Sequence, residues 1–117
     1  MSGATSYHAG LSAEAGVAAS YLNAGLDLVA RRWRGQGGEI DLILRDGAVL
    51  VFVEVKKSRD FTRAMARITH RQVNRILSAA GEFLAGEPMA MNTETRFDVA
   101  LVDGAGRIQV IENAFGP

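Results

Sequence analysis

The dipeptide Asp46-Gly47 sits between two apolar runs, Glu39–Arg45 and Ala48–Val55, and it constrains the chain more tightly than any other short feature. Asp-Gly is favoured in two-residue type I′ turns, which join two antiparallel strands. With Asp46 and Gly47 as the central residues, Arg45 faces Ala48, Ile43 faces Leu50, Asp41 faces Phe52 and Glu39 faces Glu54. Side chains alternate along a strand, so Glu39, Asp41, Phe52, Glu54 and Lys56 share one side of the sheet. The other side carries Ile40, Leu42, Leu44, Val49, Val51, Val53 and Val55, and helices must cover it. A greasy hairpin thus holds three carboxylates and an ammonium on one side.

The remaining elements follow from period and punctuation. Residues 1–11 are small and polar and are expected to fray, leaving 12–117 as a single domain. Ser12 is expected to cap a helix over 13–24, with Ala15, Ala18 and Leu22 on one stripe, Val17 and Tyr21 beside it, and Gly25 as the stop. Glu14 falls at the edge of that apolar face, where an acid also complements the helix dipole. Leu26–Trp33 reads as a strand. The following RGQGG precedes a strand instead of a helix and lacks Lys-Ser or Lys-Thr, so it reads as a turn and not as a phosphate loop. Phe61–Ile68 is irregular or briefly helical, and Thr69 opens a helix to about Ala85 with a stripe of Val73, Ile76, Leu77, Ala80 and Leu84. Strands at 96–102 and 108–111 flank the turn Asp103–Gly106. Trp33 reads as a core or edge anchor, Asp98 as a hydrogen-bonded structural acid, and His70 as a weak candidate for phosphate contact. The order is αβββαββ, an α/β chain.

At 117 residues and 48% hydrophobic content the chain suits one modest core. It has no cysteine, which removes disulfides and thiolate metal sites and fits a reducing compartment. No apolar run approaches a membrane span and MSGATSYHAG lacks a signal core, so a soluble, cytoplasmic protein is expected. Thirteen basic and thirteen acidic residues cancel, but they are not evenly spread. Lys56, Lys57, Arg59, Arg63, Arg67, Arg71 and Arg75 fall in one segment whose single acid is Asp60, and Arg31, Arg32 and Arg34 form a second knot. Spaced every four residues, Arg63, Arg67, Arg71 and Arg75 form one cationic ridge if the segment is continuously helical. The ridge is either a solvated helix face or a surface for a polyanion.

Glu39, Asp41 and Glu54 on one face need a cation. Lys56 in a structural salt bridge is one solution, yet one ammonium does not neutralise three acids, and partly buried unpaired charge is costly. A hard divalent ion, Mg²⁺ or Mn²⁺, is the other, since the ligands are all oxygen. A carboxylate-bound metal beside a lysine is equipment for phosphodiester hydrolysis.

Asp41, followed after twelve residues by Glu54-Val55-Lys56, resembles the D…ExK core of the PD-(D/E)xK nucleases. The flanks GEIDLI and LVFVEVK are similar to the YraN family of small bacterial proteins, described as Holliday junction resolvase-like endonucleases. The likeness extends to Glu14 followed by AxxYL, to Thr69-x-Arg71…Arg75, and to Arg96-Phe97-Asp98-Val99. It implies a restriction-endonuclease-like core, a mixed sheet of about five strands flanked by helices. It implies Asp41, Glu54 and Glu14 as metal ligands, Lys56 as the catalytic lysine and Glu39 as a nearby acid. Mg²⁺ or Mn²⁺ would be the cofactor and DNA, in branched or structured form, the substrate. Lys57, Arg59, Arg63, Arg67, Arg71, Arg75 and Gln72 would meet the nucleic acid. The superfamily's proline before the aspartate is absent, Lys57-Ser58-Arg59 replaces Thr-Arg, and Gln72 stands where relatives often carry lysine. The alternatives are a non-catalytic nucleic-acid-binding module on the same fold and a structural protein whose acids bind an ion. A junction-cutting enzyme would commonly be a two-fold homodimer.

Overall fold

A computed structural model describes residues 3–116, with side chains from Ser12 onward. Its elements in chain order are α1 (Gly3–Asn23), β1 (Asp27–Arg34), β2 (Glu39–Asp46), β3 (Val49–Lys57), α2 (Phe61–Ala66), α3 (His70–Leu84), β4 (Thr95–Val102) and β5 (Ile108–Ile111). The five strands form one sheet in the order β1-β2-β3-β4-β5. Neighbours are antiparallel except β3 and β4, which are parallel. A parallel pair requires a crossover, and α2 and α3 supply it. No helix among the described residues is long and apolar enough to cross a membrane.

Both faces of the sheet are covered, which is why β2 and β3 read as nearly continuous apolar runs. Leu42, Leu44, Val51, Val53, Ala100 and Val102 pack with Ala13, Val17, Ala18 and Tyr21 of α1. Ile43, Leu50, Phe52 and Phe97 pack on the other face with Ile76, Ala79, Ala80 and Leu84 of α3, and α2 adds Ala64 over Val99 and Leu101. Fully burying each large apolar side chain contributes roughly 1.5–3 kcal/mol, so β3, buried from Leu50 to Val53, is the spine of the fold.

The hairpin register differs from the turn-based expectation by two residues. Asp46 pairs with Val49, Arg45 with Leu50, Leu44 with Val51, Ile43 with Phe52 and Leu42 with Val53. Gly47 and Ala48 are therefore the central residues, and Gly47 alone carries positive φ, at 60°. A glycine at the first central position is the signature of a type II′ turn, which leaves Asp46 in the strand. A shift of two preserves the side-chain period, so the assignment of faces stands. One residue departs from it: Ile40 joins the α3-side cluster beside Trp33, its partner across β1.

The helices depart further. α1 starts well before Ser12, so Ser12 is not its cap; Ala13, Val17, Ala18 and Tyr21 are buried while Ala15 and Leu22 are exposed. Of the residues expected to fray, Met1 and Ser2 lie outside the described residues, and the backbone of 3–11 forms the first turns of α1. Gly25, at φ 97°, ends the helix as expected. α3 begins as read, with Thr69 accepting from the Gln72 N–H. That cap also breaks the arginine ridge: α2 ends at Ala66 and α3 starts anew at His70, so Arg63 and Arg67 are not in helical register with Arg71 and Arg75.

α1 is tied to the sheet by a buried polar hub. Asp98, fully buried, accepts from Tyr21 Oη at 2.7 Å, from Arg96 at 2.9 and 3.0 Å, and from the Asn113 N–H at 3.0 Å. Removing one member of such a group strands the others. Asp98→Ala is expected to lower stability by roughly 3–5 kcal/mol and Tyr21→Phe by about 1.5–3 kcal/mol. Urea unfolding at pH 7 checks the order of the two.

Candidate active site

The site forms where β2 and β3 part. Their ladder ends at Leu42 and Val53; one step further, Asp41 and Glu54 would face each other. There the Asp41 side chain replaces a strand carbonyl: its Oδ2 accepts the Val55 N–H at 2.8 Å. The hydrogen bond fixes the carboxylate against β3. Lys56, two residues past Glu54 and on the same side, places Nζ 3.1 Å from Glu54 Oε1. Both side chains are largely buried, 13% and 11% exposed.

A cavity of about 200 Å³ opens here, lined by Glu39, Asp41, Glu54, Gln72, Arg75 and Ile76. Burial pushes the Glu54 carboxyl up to about 7; the charge of Asp41 pushes the same way and Lys56 opposes. Asp41 is also raised, chiefly by burial, against the Val55 N–H and Lys56. Burial and the neighbouring Asp41 charge thus favour the protonated form of Glu54. One lysine is thus too little positive charge for this pair.

Glu14 reaches the edge of the site from α1. Its pKa is raised by burial and then by Asp41, while Arg32, 3.9 Å away, opposes. Glu39 lines the cavity and is held by Arg34 at 2.9 Å. Among the described residues, no three His, Cys, Asp or Glu side chains converge into a metal cluster. Asp41 and Glu54 are the acids that meet, with Glu14 and Glu39 around them. Two under-neutralised carboxylates fit a hard cation that keeps most of its shell as water and substrate oxygen, as Mg²⁺ does.

Gln72, from the first turn of α3, reaches Lys56. Its amide has two orientations. One accepts the Thr69 N–H at 3.3 Å; the other donates to the Arg67 carbonyl at 2.8 Å and accepts from Lys56 Nζ at 3.0 Å. The second satisfies both amide atoms with shorter bonds, and on that ground we adopt it. Lys56 is then held between Glu54 and Gln72.

The basic segment is divided. Arg75 lines the cavity. Arg67 is committed to the Lys57 carbonyl at 2.6 Å, and Arg63 lies beside the α2 cap Asp60 at 3.8 Å. Lys57 ends β3 half-buried, while Arg59, His70 and Arg71 are exposed and do not line this cavity. Trp33 is an anchor, edge-on to Phe83 at 5.4 Å. Sequence reasoning missed the position of Arg34 beside the site, because it depends on how the RGQGG turn lies on α3.

A mixed sheet between helices, with acids and a lysine where two strands part, defines an α/β protein compatible with a restriction-endonuclease-like core. The chain belongs to the uncharacterised protein family UPF0102, the YraN family, whose profile matches residues 13–102. It is 59% identical over 115 residues to a UPF0102 protein of Cereibacter sphaeroides, covering 98% of each chain. It is 55% identical to a UPF0102 protein of Roseobacter denitrificans over 96% of this chain and 87% of the relative. With one of Ruegeria pomeroyi it shares 55% identity over 97% and 93%.

The raised acids set a pH dependence with a definite sign. Unfolded Glu54 releases its proton near 4.5, whereas the folded protein holds it to about 7. Stability from this group is therefore complete below pH 4.5 and is lost as pH rises to 7, a cost of roughly 3 kcal/mol. In the metal-free protein, the stability of wild type relative to Glu54→Gln is expected to fall over that window. Mg²⁺ should raise the wild-type melting temperature more at pH 8 than at pH 5.5. Thermal denaturation of both proteins across pH checks the sign.

Proposed function

We propose that this protein is a divalent-metal-dependent endonuclease that hydrolyses DNA phosphodiester bonds. The observation that carries the reading is the meeting of Asp41 and Glu54 beside Lys56, in a cavity that Arg75 also lines. A structural salt bridge has no use for a second buried acid that raises the pKa of the first. Asp41 and Glu54 would hold Mg²⁺ or Mn²⁺, which when bound polarises a phosphate oxygen and makes water a better nucleophile.

The chain's own residues account for the rest. Lys56 is oriented from both sides, by Glu54 at 3.1 Å and Gln72 at 3.0 Å. An ammonium so fixed can orient an attacking water or offset negative charge that grows on the phosphate. Asp41 is locked by Val55 and cannot swing away from the reacting centre. Glu14 and Glu39 add negative potential around the pair, which favours capture of a divalent ion. The preference for DNA, and for branched DNA in particular, rests on the family resemblance.

The test is incubation of the purified protein with duplex, single-stranded and four-way-junction DNA in Mg²⁺ or Mn²⁺. Wild type is expected to nick at least one substrate in a metal-dependent manner. Glu54→Ala and Lys56→Ala should each lose activity by roughly a hundredfold or more. Tight binding with no cleavage under any metal would assign the chain to a non-catalytic binding module instead.

A further inference from the structure

The cavity of the carboxylates has a neighbour of opposite charge. A second trough of about 380 Å³ is lined by Arg34, Gly35, Gln36, Gly38, Glu39 and Arg75. It shares Glu39 and Arg75 with the first cavity, so the two are continuous along that edge. Glu39 and Arg75 line both; Asp41 and Glu54, opposed by Lys56, belong to the first alone and Arg34 to the second alone. The acid pair suits a cation, and the guanidinium of Arg34 beside that of Arg75 suits one phosphodiester.

We propose that this trough is a subsite for a phosphate of the substrate backbone flanking the reacting one, held between Arg34 and Arg75. The proposal rests on the endonuclease reading and deepens it by naming what positions the strand.

The trough is built by the glycine-rich turn between β1 and β2. Gln36 and Gly37 N–H groups both donate to the Glu82 carboxylate of α3 at 2.8 Å, and the Gly35 N–H closes the turn on the Gly38 carbonyl at 2.9 Å. Three of the turn's donors are thereby used internally, so this is no phosphate nest; it is a fixed wall. The glycines permit the contact. A Cβ on Gly37 would lie 2.3 Å from Ser78 Oγ, and one on Gly38 would lie 3.0 Å from the Arg75 carbonyl. Close approach at Gly38 is what brings Arg34, at the end of β1, to the same trough as Arg75 on α3.

Both arginines are available to a ligand. Among the described residues Arg75 makes no ion pair. Arg34 pairs with Glu39, but its side chain is 78% exposed, and an exposed pair of this kind is weak enough to yield to a phosphate. Glu39 has a part in the exchange: it holds Arg34 at the rim and separates the cation-binding side from the phosphate-binding side. Guanidinium groups suit a phosphodiester because they donate two hydrogen bonds in one plane.

The experiment measures affinity for a fluorescein-labelled short DNA duplex by anisotropy, with Ca²⁺ in place of Mg²⁺, over a series of salt concentrations. Arg34→Gln and Arg75→Gln are each expected to weaken binding on the order of tenfold and to reduce the slope of log affinity against log salt by about 0.9. Both residues are at the surface, so melting temperatures should stay within a few degrees of wild type. Arg71→Gln, on the same helix but outside both cavities, is expected to weaken binding less and supplies the comparison for net charge. Equal losses in all three variants, or no loss at Arg34 and Arg75, would overturn the subsite. Cleavage in Mg²⁺ is measured in parallel. A wild type that cleaves while the arginine variants bind normally sinks the subsite alone; arginine-dependent binding without cleavage keeps the subsite and sinks the nuclease; no binding sinks both.

Discussion

The hydrogen bond from the Val55 N–H to the Asp41 carboxylate is the point on which the site depends. It falls where the β2–β3 ladder ends, and it turns a break in strand pairing into a fixed position for an acid. β3 has antiparallel β2 on one side and parallel β4 on the other, with helices over both faces, so it is as immobile as any segment of the molecule. Glu54 and Lys56 extend from the same strand. The proposed chemistry therefore stands on rigid elements, and only the far side, supplied by α3 and the glycine turn, comes from elsewhere.

Two groups of buried acids in this fold are treated in opposite ways. Asp98 has its oxygens occupied by Tyr21, Arg96 and Asn113, and the result is a lock between α1, β4 and the C-terminal segment. Asp41 and Glu54 receive one backbone donor and one lysine between them, and burial plus mutual repulsion hold Glu54 partly protonated near neutral pH. Folding selects the first arrangement, because every buried polar atom is paired. The second is costly for the isolated chain and sensible only if something cationic joins it.

How much of this could be read from the residues follows from the kind of signal each feature leaves. The hairpin was legible because apolar runs around a glycine turn specify antiparallel pairing, and the faces survived a register error of two because side chains repeat every two residues. Choosing between Asp46-Gly47 and Gly47-Ala48 as the turn centre depends on which position needs positive φ, and the dipeptide alone does not settle that. The arginine ridge failed for a local reason: a four-residue repeat suggests one helix, but Thr69, accepting the Gln72 N–H, caps a new one and outweighs the repeat. Leu22 misled in α1 because an apolar residue at a helix end need not face inward, whereas Ala13 and Ala18, small enough to let α1 approach the sheet, are the buried ones. That Asp41, Glu54 and Lys56 share one side of the sheet was legible from strand parity; Arg34 beside Arg75 was not, since their proximity is a tertiary contact whose only trace in the sequence is a run of glycines.

Zero net charge is a poor guide to partners for such a chain. Asp41 and Glu54 line one cavity and Arg34 the adjoining trough, with Glu39 and Arg75 common to both, so charges that cancel in the total are kept apart locally. Field lines from each are focused by its own walls, so a ligand bearing both a divalent cation and a phosphodiester meets two complementary potentials instead of their average. Either set of charges alone would describe an ion trap or a weak anion site. It is their adjacency, imposed by a glycine turn lying on α3, that on the proposed reading gives the surface a direction for a nucleic-acid backbone.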